Sequence, residues 1–192
     1  MVNLVMMFIV GMAIGQGGPV KNDVDLGNDQ FAVDQRGKFV VYRTEALPSE
    51  VNVSVLHGRL TAFLETKGNR TAIKNNDRLE SEGSIPMERH VGLGNYVAGE
   101  INYTLVVENN QGELNYWFTD LTYQPYRNDR YGKRVRATVT PIPLEKQFSK
   151  VNEHVWQKQR KYAYEAIDTF AEHVLGQLEA VGKPKVITTN MD

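Results

Sequence analysis

The sequence predicts an α+β domain, and three stretches carry that prediction. One is a hairpin pattern: Ile101, Tyr103, Leu105 and Val107 alternate with polar neighbours, Asn109-Asn110-Gln111-Gly112 turns the chain, and Leu114, Tyr116 and Phe118 resume the alternation. The other two are helical rhythms on either side of it. Val51, Val55, Leu56, Leu60, Phe63 and Leu64 form one apolar face. Phe148, Val151, Val155, Tyr162, Ala166, Phe170, Val174, Leu178 and Val181 form the second.

Taken in order, residues 1–15 are an almost unbroken apolar run, too short for a membrane-spanning helix, which needs about 20 apolar residues. The pattern fits a signal peptide with a small-x-small cleavage site at Ala13-Ile14-Gly15, although no Lys or Arg precedes the run. The alternative is a buried element of the fold. Residues 16–37, with Gly17, Gly18, Pro19 and Gly27, show no period and read as a flexible linker. The folded domain is expected over 38–182 and a disordered tail over 183–192. On this reading the mature chain is periplasmic or extracellular and has no membrane span.

Within the domain, Lys38 to Thr44 reads as a first strand. A helix follows, with Ser49 as N-cap and Gly68 as its stop. Gly58 in mid-helix implies close approach of a neighbouring backbone. Residues 71–75 and 78–86 read as modest polar strands and 90–99 as a loop. The hairpin register pairs Val107 with Leu114, Leu105 with Tyr116 and Tyr103 with Phe118 on the core face. Thr104, Val106, Trp117, Thr119 and Leu121 then occupy the opposite, open face, which carries no cation. After Pro125 the chain turns basic and irregular, and Thr140-Pro141-Ile142-Pro143 blocks regular pairing. The last helix runs from about Leu144 to Gly182, roughly 55 Å at 1.5 Å per residue. That exceeds what a small sheet covers, so a bend or break is expected between Asn152 and Lys161.

Composition narrows the chemistry. The 192 residues carry a formal charge of -1, which gives neither the basic footprint of a nucleic-acid binder nor a strongly acidic tail. With no cysteine there are no disulfides, thiolate chemistry or Cys-ligated metals. His57, His90, His154 and His173 show no metal-ligand spacing, and no cofactor is expected.

The order strand, helix, several strands, helix, with Tyr103-Thr104-Leu105-Val106-Val107, Gly112 and Tyr116-Trp117-Phe118-Thr119-Asp120-Leu121-Thr122-Tyr123, resembles a bacterial domain family of unknown function with a TBP-like fold. That family occurs mainly in exported Bacteroidetes proteins. Pro141-Ile142-Pro143-Leu144-Glu145 is similar to its proline-containing entry into the C-terminal region, and the likeness spans residues 38 to 181. The resemblance implies a curved antiparallel sheet of about five strands with helices on one face, and secretion. It implies no reaction, and a fold label does not transfer DNA binding.

Among candidate motifs, Gly92-Leu93-Gly94 with Gly99 lacks the spacing and the following helix of a dinucleotide fingerprint and reads as a loop. No nucleophile elbow or phosphate-binding loop occurs. Glu80, Glu82 and Glu88 are a carboxylate cluster or a solvated strand edge. The segment Tyr123 to Arg136 interleaves Arg127, Arg130, Lys133, Arg134 and Arg136 with Tyr126 and Tyr131, a mixture that grips anionic glycans or phosphates, or forms an ordinary charged loop. Trp117 is a ligand platform or packing.

These observations favour a non-catalytic binding or accessory module of the cell envelope, recognising an envelope protein or glycan and not nucleic acid. Its expected ligand surface is Trp117, Thr104, Thr119, Tyr126, Arg127, Arg130, Tyr131 and Arg134. The alternative is a structural or assembly protein using its long C-terminal helix. An enzyme, third in order, needs a deep pocket with His57 or His90 beside a carboxylate.

Overall fold

The computed structural model describes residues 31–46, 52–75, 77–91, 94–110 and 112–182. The expected signal segment and the C-terminal tail lie outside these residues, as does Ser49. Chain order is β1 (Ala32–Val33), β2 (Phe39–Ala46), α1 (Val53–Thr66), β3 (Arg70–Asn75), β4 (Arg78–Val91), β5 (Gly94–Asn110), β6 (Glu113–Asn128), β7 (Arg134–Arg136), β8 (Ile142–Pro143) and α2 (Lys150–Gly182). The strands form an open, curved antiparallel sheet ordered β1-β2-β6-β5-β4-β3, with β7 and β8 also on β6. Fold class therefore agrees with the sequence reading.

One face of the sheet is apolar and both helices pack on it. Leu79, Ile101, Leu105, Val107, Leu114, Tyr116 and Phe118 meet Leu56, Leu60 and Leu64 of α1 and Ala163, Ile167, Ala171 and Val174 of α2 in one cluster. Phe170 of α2 links three rings, lying 5.6 Å from that of Tyr103, 6.0 Å from Phe118 and 6.1 Å from Phe63. Each such ring pair adds about 0.5–1.5 kcal/mol beyond area burial.

Several expectations need correction. Among the described residues the core already takes in Phe31, inside the expected linker: its ring stacks on Phe39 at 5.1 Å and meets Tyr164 edge-on at 5.3 Å. Asn52 caps α1, its Oδ1 accepting from Ser54 N at 2.9 Å. Gly68 does end the helix, in the left-handed region at φ 79°. Gly58 is exposed with no heavy atom near its missing Cβ, so no backbone approaches it.

Both polar strands are longer than their composition suggests, and 94–99 is strand rather than loop, since β4 and β5 pair from Arg78↔Glu108 to Val91↔Gly94. The β5–β6 register is Val107↔Tyr116 and Leu105↔Phe118, two residues from the expected one. A slip of two keeps every side chain on its face, so the apolar face was legible although the partners were not. Leu121 is different: it is buried in the core. Between Thr104↔Thr119 and Asn102↔Thr122 strand β6 carries one extra residue, with Asp120 at φ 52°, and this bulge reverses the alternation.

The basic segment is a regular hairpin of β6 and β7, paired from Tyr126↔Arg136 to Asn128↔Arg134. Ile142 and Pro143 pair with Tyr123 and Thr122, and Leu144 N donates to Leu121 O at 3.0 Å. Proline is tolerated there because the bridge is short and lies at an edge.

The last helix starts at Lys150 and runs 33 residues without interruption, about 50 Å. Its N-terminal half buries a different face from the one expected. Trp156, Gln159, Arg160 and Ala163 are inside, whereas Val151 and Val155 are 85% and 59% exposed. Arg160 accounts for the change. Its Nε donates to Leu144 O at 2.8 Å, Nη2 to Lys146 O at 2.9 Å and Nη1 to Glu153 Oε1 at 3.0 Å. The helix is thereby tied to the segment that leads into it.

Candidate ligand-binding face

The sheet face away from the helices is built from even-numbered residues of β2 to β4, from Glu100 to Glu108 at even positions of β5, and from Asn115, Trp117 and Thr119 of β6. Trp117 is there as expected, half-buried, with the Tyr42 ring 6.1 Å away and the Arg78 guanidinium 5.8 Å from its own. Thr104 is half-buried beside it on β5. Thr119 is on this face but buried, because Arg36 from the β1–β2 turn folds over it and donates from Nη2 to its Oγ1 at 2.9 Å.

The expectation that this face carries no cation fails. Arg36, Arg70, Lys74, Arg78 and Arg136 all reach it, from neighbouring strands and a turn rather than from the hairpin itself. Each is matched. Arg70 pairs with Glu82 at 3.2 Å, Lys74 with Glu80 at 3.3 Å, Arg78 with Glu80 at 2.8 Å and with Glu108, and Arg36 with Asp34 at 2.9 Å. Glu80 is thus a paired carboxylate of the inner strand β4, its side chain 28% exposed, and not a solvated strand edge. Burial pushes its carboxyl up, but hydrogen bonds from Arg78 and Lys74 outweigh that and hold it below the ordinary range.

Glu100 is the deepest acid of the face, with a side chain only 6% exposed. Its Oε1 lies 2.6 Å from Arg136 Nε in an ion pair, and its Oε2 accepts from the Tyr126 hydroxyl at 2.8 Å and from Ser84 Oγ at 3.4 Å. That carboxylate raises the Arg136 guanidinium above its usual value. Burial, then the same carboxylate, raises the Tyr126 phenol. The Tyr126 hydroxyl is thereby engaged by a carboxylate of the sheet itself.

Beside this cluster lies a trough of about 380 Å³, lined among others by Arg70, Glu82, Ser84, Asn102, Thr104, Asp120 and Arg136. Four strands and the β6 bulge supply its polar groups. Of the expected ligand residues it takes in only Thr104. Sequence reasoning singled out Glu82 only within a carboxylate cluster and missed Asn102, Asp120 and Arg70, because strand alternation marks a residue as outward-facing without saying which outward-facing residues of distant strands meet. The alternation that turns Asn102 outward was the available signal.

The remaining expected residues are elsewhere. Arg127, Arg130, Tyr131 and Arg134 are exposed on the β6–β7 hairpin. Arg130 lies over the Tyr131 ring at 4.7 Å and Arg134 over the Tyr96 ring at 4.5 Å. His57 is buried on the helix side of the sheet, within α1, and its Nε2 has no hydrogen-bond partner. The side chain of His90 lies outside those described. Among the described residues no group of three His, Asp or Glu could hold a metal, and no helix is long and apolar enough to cross a membrane.

No protein-family model and no curated protein matches the chain. Solved structures do. A TBP-like protein from Parabacteroides distasonis superimposes with a TM-score of 0.53 at 9% identity, over 76% of this chain and 95% of that one. A DUF4468 family protein from Bacteroides ovatus gives 0.50 at 13% identity, over 87% of this chain and 99% of that one. At such identities the likeness speaks for fold alone. The chain is an α+β domain with the TBP-like fold of these Bacteroidetes proteins.

Proposed function

We propose that this chain is a non-catalytic binding module of the cell envelope, whose ligand surface is the trough on the open sheet face. The observation that supports the reading is the lining itself: donors and acceptors from Arg70, Ser84, Asn102, Thr104 and Asp120 converge on one concavity. Its volume is at the lower end of the range that holds small molecules, and its walls are polar. That combination suits a hydrated ligand such as a short glycan better than a lipophilic one. Trp117, wedged between Tyr42 and Arg78, is a wall of the face rather than its platform.

A duplex on this face would need cations that are not already committed to carboxylates, so the reading excludes nucleic acid on new grounds. Export of the chain through the apolar segment 1–15 belongs to the same proposal. The test is calorimetric titration of the full chain with envelope-derived oligosaccharides. Binding that weakens about tenfold in Thr104→Val and Arg70→Ala supports the trough. Absence of binding to any oligosaccharide, or binding indifferent to both substitutions, sinks it.

A further inference from the structure

The tip of the β6–β7 hairpin differs from the open face in one respect: its cations are unmatched. Arg127, Arg130, Lys133 and Arg134 are all exposed, and none has a carboxylate partner among the described residues. They fall within eight positions of a chain whose formal charge is -1. The one acid among them, Asp129, is spent on the turn. Its Oδ1 accepts from Tyr131 N at 2.8 Å and Lys133 N at 2.9 Å, and its backbone closes the loop through Asp129 N to Lys133 O at 2.8 Å. Gly132, at φ 78°, completes a turn that a side-chain-bearing residue would strain.

The tip is therefore preorganised and carries a surplus of three positive charges. Tyr131, 77% exposed, stands among them. Two of the guanidiniums lie over rings, Arg130 over Tyr131 and Arg134 over Tyr96. Three of the four cations are Arg, the residue whose planar fork takes a carboxylate or sulfate through two parallel hydrogen bonds.

We propose that this hairpin tip is a binding site for an acidic polysaccharide, with carboxylates taken by Arg127, Arg130, Lys133 and Arg134 and a sugar ring laid on Tyr131. The sequence of the tip, Arg127-Asn128-Asp129-Arg130-Tyr131-Gly132-Lys133-Arg134, favours this over an anionic bilayer. It holds no aliphatic side chain to bury among acyl chains, and one tyrosine is a weak anchor. A single exposed ring also falls short of the successive stacking platforms that single-stranded nucleic acid uses. The site is separate from the trough and does not depend on that reading.

The experiment titrates the full chain with a polygalacturonate hexasaccharide, with the same hexasaccharide methyl-esterified, with phosphatidylglycerol-containing vesicles and with a single-stranded oligonucleotide. The acidic hexasaccharide binds, and the neutral ester does not. Affinity falls steeply between 50 and 300 mM salt, because the Debye length shortens and exposed charges are screened. Arg130→Ala with Arg134→Ala costs about tenfold or more. Tyr131→Ala costs several-fold while leaving the salt dependence unchanged. Thr104→Val, in the trough, leaves this binding untouched, so the two surfaces fail or succeed separately. Circular dichroism melts of the variants confirm that these exposed changes leave the fold intact. No binding of the acidic hexasaccharide, equal binding of its ester, or tighter binding to vesicles or to the oligonucleotide would each overturn the proposal.

Discussion

Arg136 and Glu100 form an ion pair, Nε lying 2.6 Å from Oε1, which joins a three-residue strand to the middle of a long central one. Glu100 is buried and Arg136 is 65% exposed, so the pair is anchored on one side and solvated on the other. The hydroxyl of Tyr126 completes the cluster and fixes the base of the hairpin above it.

Glu100→Gln keeps the shape of the side chain and removes its charge. Because the guanidinium can turn to water, the loss is expected near 1–2 kcal/mol rather than the larger cost of splitting a fully buried pair. Urea denaturation measures it. A double-mutant cycle with Arg136→Met gives a coupling of about 1 kcal/mol, and a coupling near zero would show that the cluster is held by Tyr126 alone.

Two glycines give opposite outcomes. At Gly83 an added Cβ collides with the Asn69 side chain, which is itself buried and donates to Ser81 Oγ at 3.1 Å and the Tyr103 hydroxyl at 2.8 Å. Gly83→Ala is expected to destabilise by about 1–3 kcal/mol. At Gly58 the space is open and the residue lies inside α1. Gly58→Ala is expected to stabilise by about 0.5–1 kcal/mol. Thermal melts of the two variants displaced in opposite directions bear this out.

Acid should weaken the fold before any carboxylate titrates. Burial holds the His57 imidazole below its ordinary value of 6.5, with the charge of Asp77 pulling weakly the other way. The unfolded chain takes up that proton near pH 6.5 and the folded chain only at lower pH. Stability from a neutral His57 is therefore complete above pH 6.5 and declines as pH falls below it. Denaturation at pH 7 and pH 5 shows a smaller difference for His57→Leu than for the parent chain. The lowered carboxyls of Asp34 and Glu80, whose ordinary values are 3.8 and 4.5, act further down the scale.

At the alkaline end the sign is reversed. Burial pushes the phenols of Tyr103 and Tyr116 from 10.0 up to about 12. Their contribution is fully present below pH 10, where both states are protonated, and is lost as pH rises from 10 through 12. Stability should drop by a few kcal/mol across that window, because each tenfold difference in proton affinity between folded and unfolded chain is worth about 1.4 kcal/mol. Tyrosinate absorbance at 295 nm then rises together with the loss of helical dichroism. Absorbance that completes well before unfolding counts against burial of both rings.

Much of the fold was readable residue by residue. Alternation in β5 and β6 marks the core face, and a register error of two leaves that assignment whole because the strand period is two. The rhythm of α1 and the glycine that ends it are equally local. The N-terminal half of α2 was misread because Val151 and Val155 look like core, whereas the buried positions include Gln159 and Arg160. A buried guanidinium is stable only with acceptors around it, and those of Arg160 include the backbone carbonyls of Leu144 and Lys146, which no side-chain pattern reveals.

The amino-acid sequence by itself determined the α+β class, the apolar sheet face, the presence of two helices and the cation-rich segment from Arg127 to Arg136, because each follows from local period and composition. Only the tertiary structure decided that Phe31 joins the core, that Leu121 turns inward at the Asp120 bulge, and that the cations of the open face are paired while those of the hairpin tip are not. The reason is common to all three. Pairing of charges across strands and reversal at a bulge depend on which distant residues are brought together, and that is settled by closure of the sheet rather than by any one stretch of chain.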